Sequence, residues 1–506
     1  LTAAEPIRRS PHLRWVLGLT ALALVLRVAF VLIFEPTSLT SNDALFYHAV
    51  ASQIAGGHGF SLYGEPTAHW PPVGPYLFGL AYLVAGPEPL AAVLVNAVIG
   101  AATVPLLYFT ALRALGTVPA RFAAGALALM PGQILFADTL LAETAYTFVL
   151  VGFLALVAYL PARRWWTAVA LGAVAGVAAL TRGEGLVLPV IALAAWYPEL
   201  PWRALLGRLA AVVAAMVLVM APWVVRNTVE AGSFVGVATN SSTTLWSGHN
   251  PGADGGATYA PRSLLAPALR KKGIDFEVAE GRLLRHQALE YMRTHPLREL
   301  SLIPRKLVAL NEGDSKATEV WIHEGKGAAF DYRDVNRFLE SGGSAQEFRR
   351  VPSRAPAVIG STAAGVVDVA ADVAYYALLA ATLASVVLFG RRLWRDRVLR
   401  GALAMLGAAV VLYGFVYYGN FRYRVPLEPL MMLVAAPLVA AGSDGRWNLR
   451  ATLRPHRRAG RSTTVSDSQP SSSESGSANT AYRRKSPKLP FAKPSVAAAK
   501  EITSRW

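Results

Sequence analysis

Near the end of the chain the run FRYRVPLEP, residues 421 to 429, sets Arg422 and Arg424 just ahead of Pro426, and near its beginning SNDALFY, residues 41 to 47, carries Asp43. Proline opens a helix readily at its first position but sits poorly inside one. Both arginines therefore stand at the mouth of a last helix, where guanidiniums can grip a phosphate by bidentate hydrogen bonds. A carboxylate at Asp43, in the loop beyond the first long apolar run, is suited to take a proton from a hydroxyl. The competing reading is structural, since Ser41, Asn42 and Asp43 all suit the N-cap of a helix running through Ala55. Lys306 and His69 are weaker candidates for the phosphate, and His69 also reads as an interfacial histidine stacked near Trp70.

Other ionisable residues fall where a membrane makes them expensive. Arg27 lies inside the first apolar run, Asp138 and Glu143 flank the start of another, and Arg182, Glu184 and Arg226 occupy helix ends. Such groups usually face a cavity or a partner. Snorkelling to the interface explains each arginine singly, but not the gathering of both signs on one side. A base for an incoming hydroxyl and cations for a departing phosphate suit transfer of a sugar from a lipid phosphate. Asp43, Asp138 and Glu143 are also candidates to hold a divalent ion, although no HExxH or EF-hand pattern is present, and the sequence leaves metal use open. No P-loop, Rossmann glycine fingerprint or GxSxG elbow occurs in a suitable context.

The elements that must position these residues are membrane helices. The chain has 506 residues, 54% of them hydrophobic and 16% charged, with a mean hydropathy of +0.37. That is too apolar for a soluble protein of this size. A spanning helix needs about 20 apolar residues, and about ten stretches come close, from Leu13–Phe34 to Val425–Ala441. The first is read as a retained span, because no small-residue cleavage site follows it. The absence of cysteine excludes disulfides, thiolate metal sites and a cysteine nucleophile. The formal charge of +17 lies largely in short loops and the tail, which the positive-inside rule explains without a nucleic acid partner.

Arg8, Arg9 and Arg14 put the N-terminus in the cytoplasm, and the later arginine groups follow the alternation if Val73–Ala85 is a short juxtamembrane or re-entrant helix. Residues 1–226 then form an N-terminal transmembrane catalytic module with a helical first external loop at 35–72. Residues 227–366 form a small external, periplasmic segment with amphipathic helices near Glu277–Tyr291 and Leu297–Leu310. Residues 367–442 hold the C-terminal helices, and the Ser-, Arg- and Lys-rich stretch 443–506 reads as a disordered basic cytoplasmic tail able to touch anionic lipid. No internal repeat is visible.

From about residue 14 to 441 the chain resembles the GT-C glycosyltransferases, in the bacterial branch similar to dolichyl-phosphate-mannose protein mannosyltransferases and the aminoarabinose transferases of lipid A. The resemblance rests on SNDALFYHAVASQIAGGHGF, PTAHWPPVGPYLFGL, ADTLLAETAYTF, PWVVRN, LWSGHNPGADGG and RYRVPLEPL, in that order. It implies an all-α polytopic fold with about ten transmembrane helices and inverting transfer from a polyprenyl-phosphate sugar to a hydroxyl acceptor. The acceptor would be protein, lipid or envelope glycan, at the outer face of a bacterial inner membrane. Asp43 takes the place of the family's first-loop base, although Asn42-Asp43 stands where many relatives have Asp-Glu. Glu143 matches the acidic residue that helps shape the site, and Arg422 and Arg424 match the basic pair near the donor phosphate. Arg27, Asp138, Arg182, Glu184, Arg226 and Asn250 complete the expected cavity. The rival reading is a transporter or flippase of lipid-linked sugars, which would want its charges along a path through the membrane.

Overall fold

A computed structural model describes residues 11–34, 38–39, 41–316, 329–341, 350–351, 355–441 and 447. The expected tail lies outside the described residues, Trp447 excepted. In chain order the elements are α1 (Pro11–Phe34), β1 (Ser38–Leu39), α2 (Asn42–Ala55), β2 (Ser61–Leu62), β3 (Glu65–Pro66), α3 (Val73–Ala85), α4 (Pro89–Leu115), α5 (Thr117–Leu129), α6 (Pro131–Leu135), α7 (Glu143–Tyr159) and α8 (Trp165–Thr181). There follow α9 (Leu188–Trp196), α10 (Trp202–Glu230), α11 (Ser241–Gly248), α12 (Arg262–Leu265), α13 (Gly273–Thr294), α14 (Pro296–Leu310), β4 (Ala329–Asp331), α15 (Tyr332–Glu340), β5 (Arg350–Val351), α16 (Ala355–Arg395), α17 (Arg397–Val411), α18 (Phe421–Arg424) and α19 (Glu428–Ala435).

The protein is an all-α multi-pass membrane protein. Among the described residues six helices are long and apolar enough to cross a bilayer, at Pro11–Phe34, Pro89–Leu115, Trp202–Glu230, Thr362–Arg395, Arg397–Val416 and Phe421–Ala440. Thr117–Leu129 with Pro131–Asp138, bent by 53°, makes a seventh if it crosses as one span. Four shorter apolar helices, including α3 at 13 residues, account for the rest of the roughly ten apolar stretches. Length thus separates the stretches that hydropathy alone groups together.

The bend between α5 and α6 follows from Pro131, which has no N–H for the carbonyl of Leu127. Arg27 answers this from α1. Its guanidinium donates to Leu127 O at 3.1 Å and Ala128 O at 3.4 Å, and it is fully buried. The expected cavity residue is therefore occupied with the backbone carbonyls of a broken helix.

Helices α8 and α10 form the most extensive helix–helix seam among the described residues. Gly172 and Gly176, spaced as a small-xxx-small pair, let the backbones meet. A Cβ at Gly172 would stand 2.3 Å from the Val212 carbonyl oxygen, and one at Gly176 2.7 Å from Val219 Cβ. Gly172→Ala should cost about 1–3 kcal/mol by overpacking, read as a lowered thermal unfolding transition in detergent. Gly152→Ala, where the new methyl meets nothing within 4 Å, should leave that transition in place.

Described parts of the segment 227–366 pack against residues 38–85. Strand β1 pairs antiparallel with β4, and β4 with β5. Tyr332 and Val335 of α15 share a buried cluster with Leu45, Ala49 and Phe78. His48 of α2 lies 2.8 Å from Tyr82 Oη on α3 and 2.9 Å from Asn336 Oδ1 on α15. Glu277 of α13 accepts from Thr67 Oγ1 at 2.5 Å and Ala68 N at 3.0 Å. Helix α2, which carries Asp43, is thereby held by both α3 and α15.

Candidate active site

Ser41 is the N-cap of α2, its hydroxyl accepting from Ala44 N at 3.1 Å. The capping role is taken, and the Asp43 carboxylate turns instead to Arg422, whose Nη1 lies 2.5 Å from Oδ2. Arg422 is held by its own local structure, because Asn420 caps the short helix α18 by accepting from Arg422 N at 3.0 Å. Its Nε donates to Glu143 Oε1. Glu143 opens α7 and is fully buried, and the same oxygen receives Arg182 Nη1 at 2.5 Å. Arg182, just past the end of α8, reaches Glu184 Oε1 at 2.9 Å, and Tyr413 Oη donates to that oxygen at 2.7 Å.

The result is a chain of alternating charge, Asp43, Arg422, Glu143, Arg182, Glu184, drawn from four separate parts of the sequence. Tyr413 and Tyr423 stack with centroids 5.0 Å apart, and the Arg182 guanidinium lies 5.3 Å from the Tyr423 ring. Such a buried network is rigid only while its members stay paired. Three carboxylates against two guanidiniums leave one net negative charge, so any anion entering this chain must displace a carboxylate from a guanidinium rather than meet a free cation. Asp43 is the member placed to yield, being 37% exposed while Glu143 is buried. Burial alone would raise the Asp43 carboxyl, but the Arg422 charge and hydrogen bond outweigh it and hold it below its ordinary value.

Arg424 does not join Arg422. It donates to Asp314 Oδ1 and Glu428 Oε1, each at 2.5 Å, and to the Glu312 carbonyl at 2.9 Å, and it lies 3.4 Å over the Tyr375 ring. With Gln133 donating to Glu428 Oε2 at 3.0 Å, this is a buried structural cluster binding α6 to α19. The expectation of a paired phosphate grip fails for a geometric reason: residues two apart on a helical turn point to opposite sides.

The remaining candidates scatter. Lys306 is buried on α14 with Nζ 3.2 Å from His249 Nε2, while His249 Nδ1 meets Glu299 Oε2 at 2.6 Å. Burial lowers the Lys306 ammonium to about 8. It belongs to a cluster of its own, outside the chain from Asp43 to Glu184. His69 meets Trp70 edge-on, with ring centroids 4.0 Å apart, and burial lowers its pKa despite Glu277 and Asp43. A neutral imidazole supplies no charge to a phosphate. Arg226 donates to the carbonyls of Thr67 at 2.5 Å and Phe60 at 2.8 Å, clamping the first loop to α10. Asn250 spends its amide on Trp246 O at 2.9 Å and Thr258 Oγ1 at 2.6 Å and its oxygen on Gly252 N at 2.9 Å, bracing the glycine-rich turn.

Asp138 is buried with Oδ1 unpartnered and does not enter the ion chain. Asp43 and Glu143 meet through Arg422, so the three carboxylates considered for a metal do not close on one point. Among the described residues no three His, Cys, Asp or Glu groups do. Tyr413, Tyr423, Asp314 and Glu428 were missed by sequence reasoning. Of these Glu428 was findable, as the i+4 partner of Arg424.

Residues 69–229 match the family described as dolichyl-phosphate-mannose-protein mannosyltransferase. The matched stretch contains Glu143, Arg182 and Glu184 but neither Asp43 nor Arg422. The chain resembles the GT-C glycosyltransferases, to which the protein mannosyltransferases are similar. Among solved structures it is similar to the apo oligosaccharyltransferase of Archaeoglobus fulgidus, at 15% identity and a TM-score of 0.47 over 86% of this chain and 51% of that one. It is also similar to ArnT from Cupriavidus metallidurans bound to undecaprenyl phosphate, at 17% identity and a TM-score of 0.40 over 85% and 79%. A third is the S. cerevisiae protein O-mannosyltransferase complex bound to its sugar donor, at 17% identity and a TM-score of 0.36 over 47% and 36%. The chain spans about half the length of the archaeal oligosaccharyltransferase. No curated protein matches it.

Proposed function

We propose that this protein is an inverting glycosyltransferase that moves a hexosyl or pentosyl unit from a polyprenyl-phosphate donor to a hydroxyl acceptor. The acceptor is protein, lipid or envelope glycan, at the outer face of a bacterial inner membrane. The observation that carries the reading is the ion pair between Asp43 and Arg422, which joins a candidate base to a candidate phosphate ligand in one partly open site. The family match at residues 69–229 supports the donor class.

The donor phosphate takes the place of Asp43 at Arg422 Nη1, and Arg182 adds a second positive charge behind Glu143. Asp43, released, accepts the proton of the acceptor hydroxyl. That oxygen bonds to the anomeric carbon from the face opposite the phosphate. The bond from the anomeric carbon to the phosphate oxygen breaks, and the electron pair leaves on the phosphate, where the guanidiniums stabilise it.

The purified protein in lipid, given radiolabelled polyprenyl-phosphate sugars and a membrane extract as acceptor source, should form a labelled product. Saturable donor binding with no product from any donor would overturn the reading.

The ion pair also sets a pH dependence. A carboxyl held below its ordinary value stays ionised as pH falls, so the acid limb of kcat/KM should lie below the usual Asp range near about 4. In Arg422→Gln the burial effect is no longer opposed by that charge, and the acid limb of the residual turnover should move upward. A limb that stays where wild type has it would remove Asp43 as the titrating base.

A further inference from the structure

We propose that a cleft of about 530 Å³ between residues 254–257, α14 and the turn 419–421 is a saccharide-binding subsite. Its polar lining is Asp254, Arg305, Glu312 and Asn420, and Val308 and Phe421 give it apolar surface. The volume lies within the range of small-ligand sites.

The walls are preformed. Gly419 N donates to Gly255 O at 2.9 Å, which ties the turn to the glycine-rich loop. Arg298 donates to Ala253 O at 3.0 Å, which ties that loop to α14. Gly255, at φ +115°, lets the loop pass against Arg305, where a Cβ would come within 2.7 Å of its backbone carbon.

The charges in the cleft are largely free of partners within the protein. Arg305 and Glu312 make no side-chain hydrogen bond or ion pair among the described residues. Asp254 uses Oδ1 on Gly256 N at 3.0 Å, leaving Oδ2 available. Two carboxylates and one guanidinium give one net negative charge, which disfavours a phosphate. Carboxylates that accept O–H, a guanidinium that donates, and apolar surface for C–H groups together suit a neutral polyhydroxylated ligand. The cleft adjoins the site in sequence as well, for Asn420 and Phe421 immediately precede Arg422 in α18.

Saccharide binding stands on this geometry alone. Whether the sugar comes from the donor or the acceptor rests on the transferase reading.

The test uses the full chain in nanodiscs, with saturation-transfer NMR and titration of methyl glycosides of mannose, glucose, galactose and arabinose. At least one should bind wild type, and Arg305→Ala/Glu312→Gln should bind it about tenfold or more weakly, as loss of charge-assisted hydrogen bonds requires. Ala257→Trp, which fills the cleft from an exposed position, should weaken it as well. Absence of binding to wild type by all four glycosides, or binding to either variant as tight as to wild type, overturns the subsite. Competition by an undecaprenyl-phosphate sugar but not by undecaprenyl phosphate marks the donor's sugar. A raised KM for the acceptor at unchanged kcat in the double variant marks the acceptor's. Turnover without glycoside binding sinks the subsite and keeps the transferase. Binding without turnover from any donor does the reverse.

Discussion

Asp43→Asn should lower transfer by about 10²–10⁴-fold, the range that a positioned general base contributes, while leaving donor affinity within a few-fold of wild type. The substitution keeps shape and removes only the proton acceptor. The helix it belongs to should be undisturbed, because Ser41 and not Asp43 caps α2. Donor affinity is the informative control. In the exchange described above, Asp43 and the phosphate compete for Arg422, so removing the carboxylate's charge should hold donor binding steady or tighten it. Single-turnover rates and equilibrium binding of the same labelled donor separate the two effects. Undiminished turnover would remove Asp43 from the mechanism.

Arg424→Ala should fail in a different way. Removing it leaves Asp314 and Glu428, both fully buried, without their shared cation, and breaking a buried pair by deleting one partner costs about 3–5 kcal/mol. The expected readout is a large loss of folded protein in detergent, with near-normal turnover per folded molecule. Arg422→Ala should show the converse, a folded protein with little turnover. If the Arg424 variant were stable but unable to bind donor, the two arginines would share the phosphate after all.

The separation of these two arginines marks where sequence reading reaches its limit and where it could have gone further. Arg422 and Arg424 stand two letters apart, a spacing that predicts a shared phosphate grip, yet a two-residue step along a helical turn places them on opposite faces. The pairing of Arg424 with Glu428, four residues on, was legible in RYRVPLEPL. The choice among Ser41, Asn42 and Asp43 as helix cap was not, because all three residues suit the position and only the backbone at Ser41, φ −150° and ψ 162°, decides. Helices legible by periodicity were found close to their bounds, as with α3 and with the amphipathic α13 and α14. The partners of Arg27 were not legible, since an apolar run shows its length but not which neighbouring helix breaks at its level. The joining of Glu143 to both Arg182 and Arg422 was foreshadowed only by the gathering of both signs on one side.

Arg422 lies 379 residues beyond Asp43 and 279 beyond Glu143 along the chain. During synthesis the Asp43 carboxylate therefore emerges long before its counter-charge exists, and the Glu143 carboxylate must rest on Arg182 alone. The ion chain closes only when the helix beginning at Phe421 takes its place among those already inserted. If the chain is the transferase proposed above, donor lipid present in the membrane throughout cannot be consumed before that helix arrives, and the first turnover would report that assembly has finished.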